Sequence, residues 1–208
     1  MIGEKSRVKP GIVPQITSAA HSRDVILQAA INILDQHGAG ALTVRSVAAA
    51  AGCSTTGVYT WFGGKSGLVE AIYVDGFQRF GAALEQTVGA GGGLHLAQQS
   101  AAYRVWALEN PTHYMVMFGR AVPDFEPSDA AKMVALGTFQ LLINAAALAI
   151  DEGLLIGDPA ELAFHLWAGI HGYVSLELAD MSMTASRSER DRLYALGCLR
   201  LMRGCREG

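Results

Sequence analysis

The sequence predicts an all-α chain, on three observations. Its apolar content is dominated by alanine (32 residues) and leucine (22), both strong helix formers, and β-branched residues are sparse. Apolar positions recur at spacings of three and four along most of the chain. Pro111, Pro123, Pro127 and Pro159, together with glycine runs, punctuate the periodic stretches. Half of the 208 residues are hydrophobic and 17% are charged, which excludes intrinsic disorder and supplies a sizeable core. The length fits one large domain or two small ones.

The elements follow in order. Residues 1–21 contain Pro10, Gly11 and Pro14 without periodicity and read as a flexible arm bearing Lys5, Arg7 and Lys9. Ser22 is the expected N-cap of a first helix, in which Ile26, Leu27, Ala30, Ile33 and Leu34 share a face and Gly38 is the stop. Thr43 caps a second helix through Ala51, and Gly52 breaks it. Ser54 caps a short third helix to about Trp61, ended by Gly63 and Gly64. A long fourth helix spans 66–87, followed by a glycine loop at 89–93. Further helices are expected at 94–109, 112–119, 129–151, 158–180 and 188–203, with Pro159 in a first turn. The expected organisation is an arm at 1–21, a small head at 22–65 and a body at 66–208.

Charge divides along the same line. Residues 1–65 carry six basic and three acidic side chains, net +3, and residues 66–208 carry ten and sixteen, net −6. A basic head on an acidic body suits polyanion binding by the head alone. No uninterrupted apolar run reaches the ~18 residues of a membrane span. The longest, Leu141 to Ile150, is interrupted by Asn144, so no membrane partner is expected. No apolar segment follows the charged start at residues 1–10, and Cys53, Cys198 and Cys205 form no framework. A reducing cytoplasm is the expected location.

The segment from Thr43 to Phe62 has the design of a helix-turn-helix. Ala48 is small enough for a close crossing, Gly52 permits a left-handed turn, and Val47 and Val58 are placed to face each other. Residues 42–72, LTVRSVAAAAGCSTTGVYTWFGGKSGLVEAI, resemble the DNA-binding domain of tetracycline-repressor-family regulators. The resemblance is carried by Thr43, Ala51-Gly52, Tyr59, Phe62, Lys65 and Leu68; position 61 departs from the pattern, with Trp61 where a histidine is usual. It implies a ligand-responsive, DNA-binding regulator, most often a repressor, that works as a homodimer.

Physical chemistry assigns parts to these residues. Thr43 and Lys65 stand at helix N-termini, where free N–H groups favour a phosphate. Tyr59 and Arg45 are further phosphate contacts, aided by Arg23 and the arm. Ser54, Thr55, Thr56, Gly57 and Thr60 are left for the groove of double-stranded DNA, where threonine hydroxyls read base edges and methyls touch thymine. No enzyme constellation emerges. Gly64-Lys65-Ser66 lacks the first glycine and the strand of a phosphate loop, and Glu161 with His165 gains no convergent third metal ligand. No metal or cofactor is expected. An all-helical small-molecule carrier or enzyme with a degenerate head is the alternative.

The body adds two expectations. The helix at 158–180 is apolar almost all round and 193–202 nearly so, which predicts burial against a second copy, with Ala168, Gly169 and Gly172 as close-approach positions and Leu193 and Leu196 as apolar contacts. Trp167-x-x-x-His171-Gly172 also resembles a subset of these regulators named for a Trp/His-Gly signature. A pocket for a mostly apolar ligand is implied by the resemblance. Phe77, Phe80, Tyr103, Trp106, Tyr114, Met117, Phe118, Met133 and Phe139 are its candidate lining, and Arg104, His113, Asn144 and His171 its candidate polar anchors.

Overall fold

A computed structural model describes residues 17–87, 91–119 and 121–205, with side chains from residue 23 onward; these form nine helices and no strand. The helix α1 (Thr17–His37) starts before Ser22, which lies inside it rather than at its cap. Nothing between Pro14 and Ser22 breaks a helix, and Ala19 and Ala20 favour one. The arm's Lys5, Arg7 and Lys9 lie outside the described residues.

The head is built from capped turns. Thr43 opens α2 (Val44–Ala50) with a reciprocal box: its hydroxyl accepts from the Ser46 amide at 3.0 Å, and the Ser46 hydroxyl accepts from the Thr43 amide at 3.0 Å. Gly52 takes φ +65° in the turn, and Ser54 caps α3 (Thr55–Phe62) by accepting from the Gly57 amide at 3.1 Å. Val47 and Val58 are both fully buried, together with Ile26, Ala30 and Leu42 from the first helix and the loop after it.

The fourth helix, α4 (Lys65–Glu85), leaves this head without a break and becomes the central strut of the body. Its Leu68 and Ile72 are buried with the head residues, and its Phe77, Phe80 and Leu84 are buried with those of α5 (Gly92–Glu109) and α6 (Pro111–Phe118) in one continuous core. The helix α7 (Asp129–Asp151) packs across α4, α5 and α8 (Pro159–Leu178), and α9 (Arg187–Gly204) closes the far side. A second cluster forms where Ala145, Ala146 and Ala149 of α7 meet Leu162, Ala163 and Leu166 of α8.

One further expectation changes. The helix α5 starts inside the glycine run because Gly92 lies against the α7 backbone, where a Cβ would strike Ala149. Its free amide donates to the Glu152 carboxylate at 2.7 Å. By length and composition alone α7 also passes for a membrane-crossing helix, with mean hydropathy 1.9 over 18 residues. Polar Thr138, Gln140 and Asn144 interrupt the run without lowering its average much.

Charge ties the last helices together. Arg104 of α5 donates to Glu177 of α8 at 2.6 and 2.8 Å and to Asp191 of α9 at 2.7 Å, while its guanidinium lies 5.2 Å from the Tyr194 ring centre. Arg190 adds a bond to Glu177 at 3.1 Å. The Arg104 hydrogen bonds hold the Glu177 carboxyl below its ordinary range against the opposing effect of burial. Because the folded value lies below the unfolded one, the pair stabilises fully above the ordinary carboxylate range and fades as pH falls through the folded value. Arg104→Met is expected to cost about 2 kcal/mol at pH 7, less than the ~3–5 of a fully buried pair because Arg190 remains. Urea unfolding of both proteins from pH 7 to pH 3 checks this: the difference should shrink on acidification.

Candidate nucleic-acid interface and ligand cavity

Thr43, Arg45, Ser54, Thr55, Thr56, Tyr59, Thr60 and Lys65 are all exposed, and Gly57 is half-buried. Their hydroxyls are not equivalent. Those of Thr43 and Ser54 are engaged in caps, and Thr60 donates to the Thr56 carbonyl at 2.9 Å. Among the described residues the hydroxyls of Thr55 and Thr56 have no intramolecular partner, so they remain available to base edges.

Lys65 is at the first position of α4, and its ammonium donates to the Ala39 carbonyl at 3.2 Å, across from the loop between α1 and α2. The Tyr59 ring lies over Gly64, the residue before Lys65. Trp61 does not take a core position: it is 40% exposed, because the inward places on this short helix belong to Val58 and Phe62. Arg23 lies over the Phe62 ring at 5.2 Å, a contact that no sequence pattern indicates.

The junction of α3 and α4 depends on one missing atom. A Cβ on Gly67 would collide with the Phe62 carbonyl, so glycine there lets α4 start hard against α3. At Gly57 a Cβ would meet nothing closer than the Ser54 hydroxyl oxygen at 3.7 Å.

The body holds a cavity of about 490 Å³ between α4, α5, α6, α7 and α8. Phe77, Phe80, Tyr103, Met117, Phe118 and Phe139 line it. Trp106, Tyr114 and His171 do not; they stand behind the wall. Trp106 packs on Phe80 at 5.1 Å between ring centres, and Tyr114 and His171 pack on Phe118 at 5.0 and 5.2 Å. The other proposed anchors are also elsewhere. Arg104 is held by its carboxylates, His113 is 3.0 Å from Asp75, Asn144 is exposed, and Met133 is 65% exposed outside the wall.

Sequence reasoning missed Tyr73, Leu84, Thr138, Leu142, Phe164 and Lys132, the last being the only charged side chain among the described lining residues. Trp167 was visible as part of the signature but not as wall. The signature histidine has a structural explanation. His171 Nδ1 lies 2.7 Å from the Tyr114 hydroxyl and 3.1 Å from that of Tyr103, and Nε2 lies 3.3 Å from Ser175. Burial lowers its pKa and favours the neutral ring. Three helices are joined there, directly behind the aromatic wall.

On α8, Ala168 is exposed and Gly172 has open space beside it. Gly169 belongs instead to a contact within the chain, since a Cβ there would strike Leu201 of α9. Leu193 and Leu196 are half-buried. Phe164, Tyr173, Leu176 and Leu199 are the exposed large hydrophobic side chains on these two helices that the expected set omits.

A helix-turn-helix head with a polar reading helix, continuous with a helical body that encloses an apolar cavity, defines a DNA-binding transcriptional regulator. Residues 26–72 match the bacterial regulatory proteins of the tetR family, and residues 96–201 match the tetracyclin repressor-like C-terminal domain. The chain belongs to the tetracycline-repressor family. An HTH-type transcriptional regulator of Mycobacterium tuberculosis H37Rv, Rv1816, is 25% identical over 173 residues, 68% of this chain and 74% of its own. A Rhodococcus sp. RHA1 protein of unknown function superposes with TM-score 0.80 at 24% identity, over 93% of this chain and all of that one. PfmR, a TetR-family regulator of Thermus thermophilus, gives TM-score 0.66 at 16% identity, over 86% and 97%. The two structural likenesses are likenesses of fold.

Gly67→Ala is expected to destabilise the head by about 1–3 kcal/mol, because the methyl meets backbone that cannot rotate away. Gly57→Ala is expected to preserve or raise stability by up to ~1 kcal/mol, since it adds helix propensity without a clash. Thermal unfolding of the two variants checks the contrast.

Proposed function

We propose that this regulator is a homodimeric repressor released from its operator by a mostly apolar small molecule bound in the body cavity. One observation carries the reading: α4 opens with Lys65 at the head and carries Phe77 and Phe80 in the cavity wall. A ligand that packs against those rings and prefers the DNA-incompetent arrangement shifts the anchor, and a coupling of ~1–3 kcal/mol is enough to weaken operator binding substantially. Two heads must stand ~34 Å apart to meet successive major grooves, so a small rotation of α4 in each protomer is amplified.

The division of labour on the head is part of the proposal. Lys65, Tyr59, Arg45 and Thr43 hold phosphates, and Thr55, Thr56, Gly57 and Thr60, opened by Ser54, select the bases. We read the chain as a regulator rather than an enzyme. The Thr138 hydroxyl in the cavity wall is donated to its own helix at the Ala135 carbonyl, 2.7 Å away. It acts where the operator is, in the cytoplasm.

Operator titrations test the head. Lys65→Ala should weaken specific and non-specific DNA alike and lower the salt slope by about one unit. Thr56→Ala should change base preference at an unchanged slope; identical behaviour of the two variants refutes the assignment. The switch is tested at Phe80. Phe80→Ala should leave operator affinity without ligand within about twofold and reduce release by a ligand found in a thermal-shift screen, with a normal response showing that the signal takes another route.

A further inference from the structure

The cavity is apolar except at one end. On the head side the Glu70 carboxylate of α4 accepts from the amide and hydroxyl of Ser128, the cap of α7. Further along, Gly81 of α4 lies against the Thr138 side chain of α7. The two helices therefore run side by side in the same sense. Tyr73 and Lys132, one turn beyond Glu70 and Ser128, lie at the same end of the gap between them, and both line the cavity. Tyr73 is only 8% exposed, and among the described residues its hydroxyl has no hydrogen-bond partner. Gln99 Oε1 is the one fully enclosed side-chain atom left unpaired there, so the Tyr73 hydroxyl meets open space rather than packed atoms. Burial raises its pKa and keeps the proton on the oxygen. A buried donor held in this way is costly until a partner arrives. Lys132 donates to Asp129 at 3.2 Å, but the Asp129 side chain is wholly exposed, and such surface pairs exchange readily. The other polar groups of the wall are engaged: Thr138 donates to Ala135, and Tyr103 bonds to Tyr114 and His171.

We propose that the cavity takes an apolar monocarboxylate, an acyl or aryl acid whose carboxylate is held by the Lys132 ammonium and the Tyr73 hydroxyl and whose body lies among Phe77, Phe80, Phe118 and Trp167. The inference rests on the cavity reading above and names the chemistry of its occupant. Both free groups are donors, so the ligand's polar end is an acceptor. A carboxylate accepts both bonds, and its single charge matches the single cation of the wall. A phosphate monoester fits less well, because it brings nearly two charges. The second would go unmatched, with the carboxylates of Glu70 and Asp129 one turn away on the same two helices. A cationic ligand would meet Lys132 itself. A neutral alcohol satisfies the hydroxyl and leaves the ammonium to Asp129. The volume of about 490 Å³ suits a small molecule with an apolar body and one polar end. Its carboxylate then lies at the head-side end of the cavity, and its body against the rings of α4.

Matched probes test the assignment on the full chain. The neutral fluorophore N-phenyl-1-naphthylamine fills the cavity, and decanoate, decanol, naphthylacetate and naphthylethanol compete with it below their micelle concentrations. At least one of the two acids is expected to displace the dye at a concentration tenfold or more below its alcohol. Lys132→Met should abolish that preference while leaving affinity for dye and alcohols within twofold, and Lys132→Arg should restore it. Tyr73→Phe, which removes one oxygen, should weaken the acid at least threefold and the dye hardly at all. Lys132 is on the surface, so Lys132→Met decides the question even where Tyr73→Phe does not fold. Dye binding with no preference for either acid, or a preference that survives Lys132→Met, overturns the proposal and leaves the apolar cavity reading standing. A chain that binds neither the dye nor any competitor refutes the cavity reading together with the proposal.

Discussion

Leu68 and Ile72 on one half of α4, and Phe77 and Phe80 on the other, are buried in a single hydrophobic core that runs from head to body. Each such side chain contributes about 1.5–3 kcal/mol when removed from water. The head therefore cannot swivel freely on a linker, because turning it means breaking packed contacts along a rigid helix. That constraint couples the head end of α4 to its cavity end. In the proposed switch this packing carries a displacement at the rings along α4 to Lys65.

Polar contacts set where this core is firm. Asp35 of α1 accepts from Thr112 of α6 at 2.7 Å, Asp75 of α4 meets His113 of α6 at 3.0 Å, and Glu70 of α4 accepts from the amide and hydroxyl of Ser128 at 2.9 and 3.0 Å. Burial pushes the Asp75 carboxyl up, yet hydrogen bonds from His113 and Arg79 outweigh it and hold the group ionised. These links pin α6 and the start of α7 to the head side of α4. The cavity lies just below them, where α4 contributes aromatic rings and no charge.

The His171 cluster shows how an apolar cavity tolerates buried polar atoms nearby. Tyr103 and Tyr114 turn their rings to the aromatic core and their hydroxyls to one imidazole. The desolvation cost of each hydroxyl is offset by its bond, and the geometry of three helices is set by the same ring. The signature Trp-x-x-x-His-Gly is thus one structural unit: indole on the cavity, imidazole behind it, and glycine on the open side of α8.

The sequence by itself determined the helical class, the head's turn residues and caps, and most of the aromatic wall. Caps and turns are local: Thr43 and Ser54 find partners three residues away, and Gly52 and Gly63 need only their own backbone to be left-handed. Apolar periodicity likewise reports that Phe77 and Phe80 face inward. It does not say what they face. Only the tertiary structure decided that Phe80 and Phe118 form wall while Trp106 and His171 stand behind it, since all are buried or half-buried aromatic positions at helical spacing. Only it placed Gly169 against Leu201, rather than against another copy, and began α5 inside a glycine run because a neighbouring backbone left room for nothing larger. Those outcomes depend on which helix lies across the gap, and distance between elements is written in no local stretch of sequence.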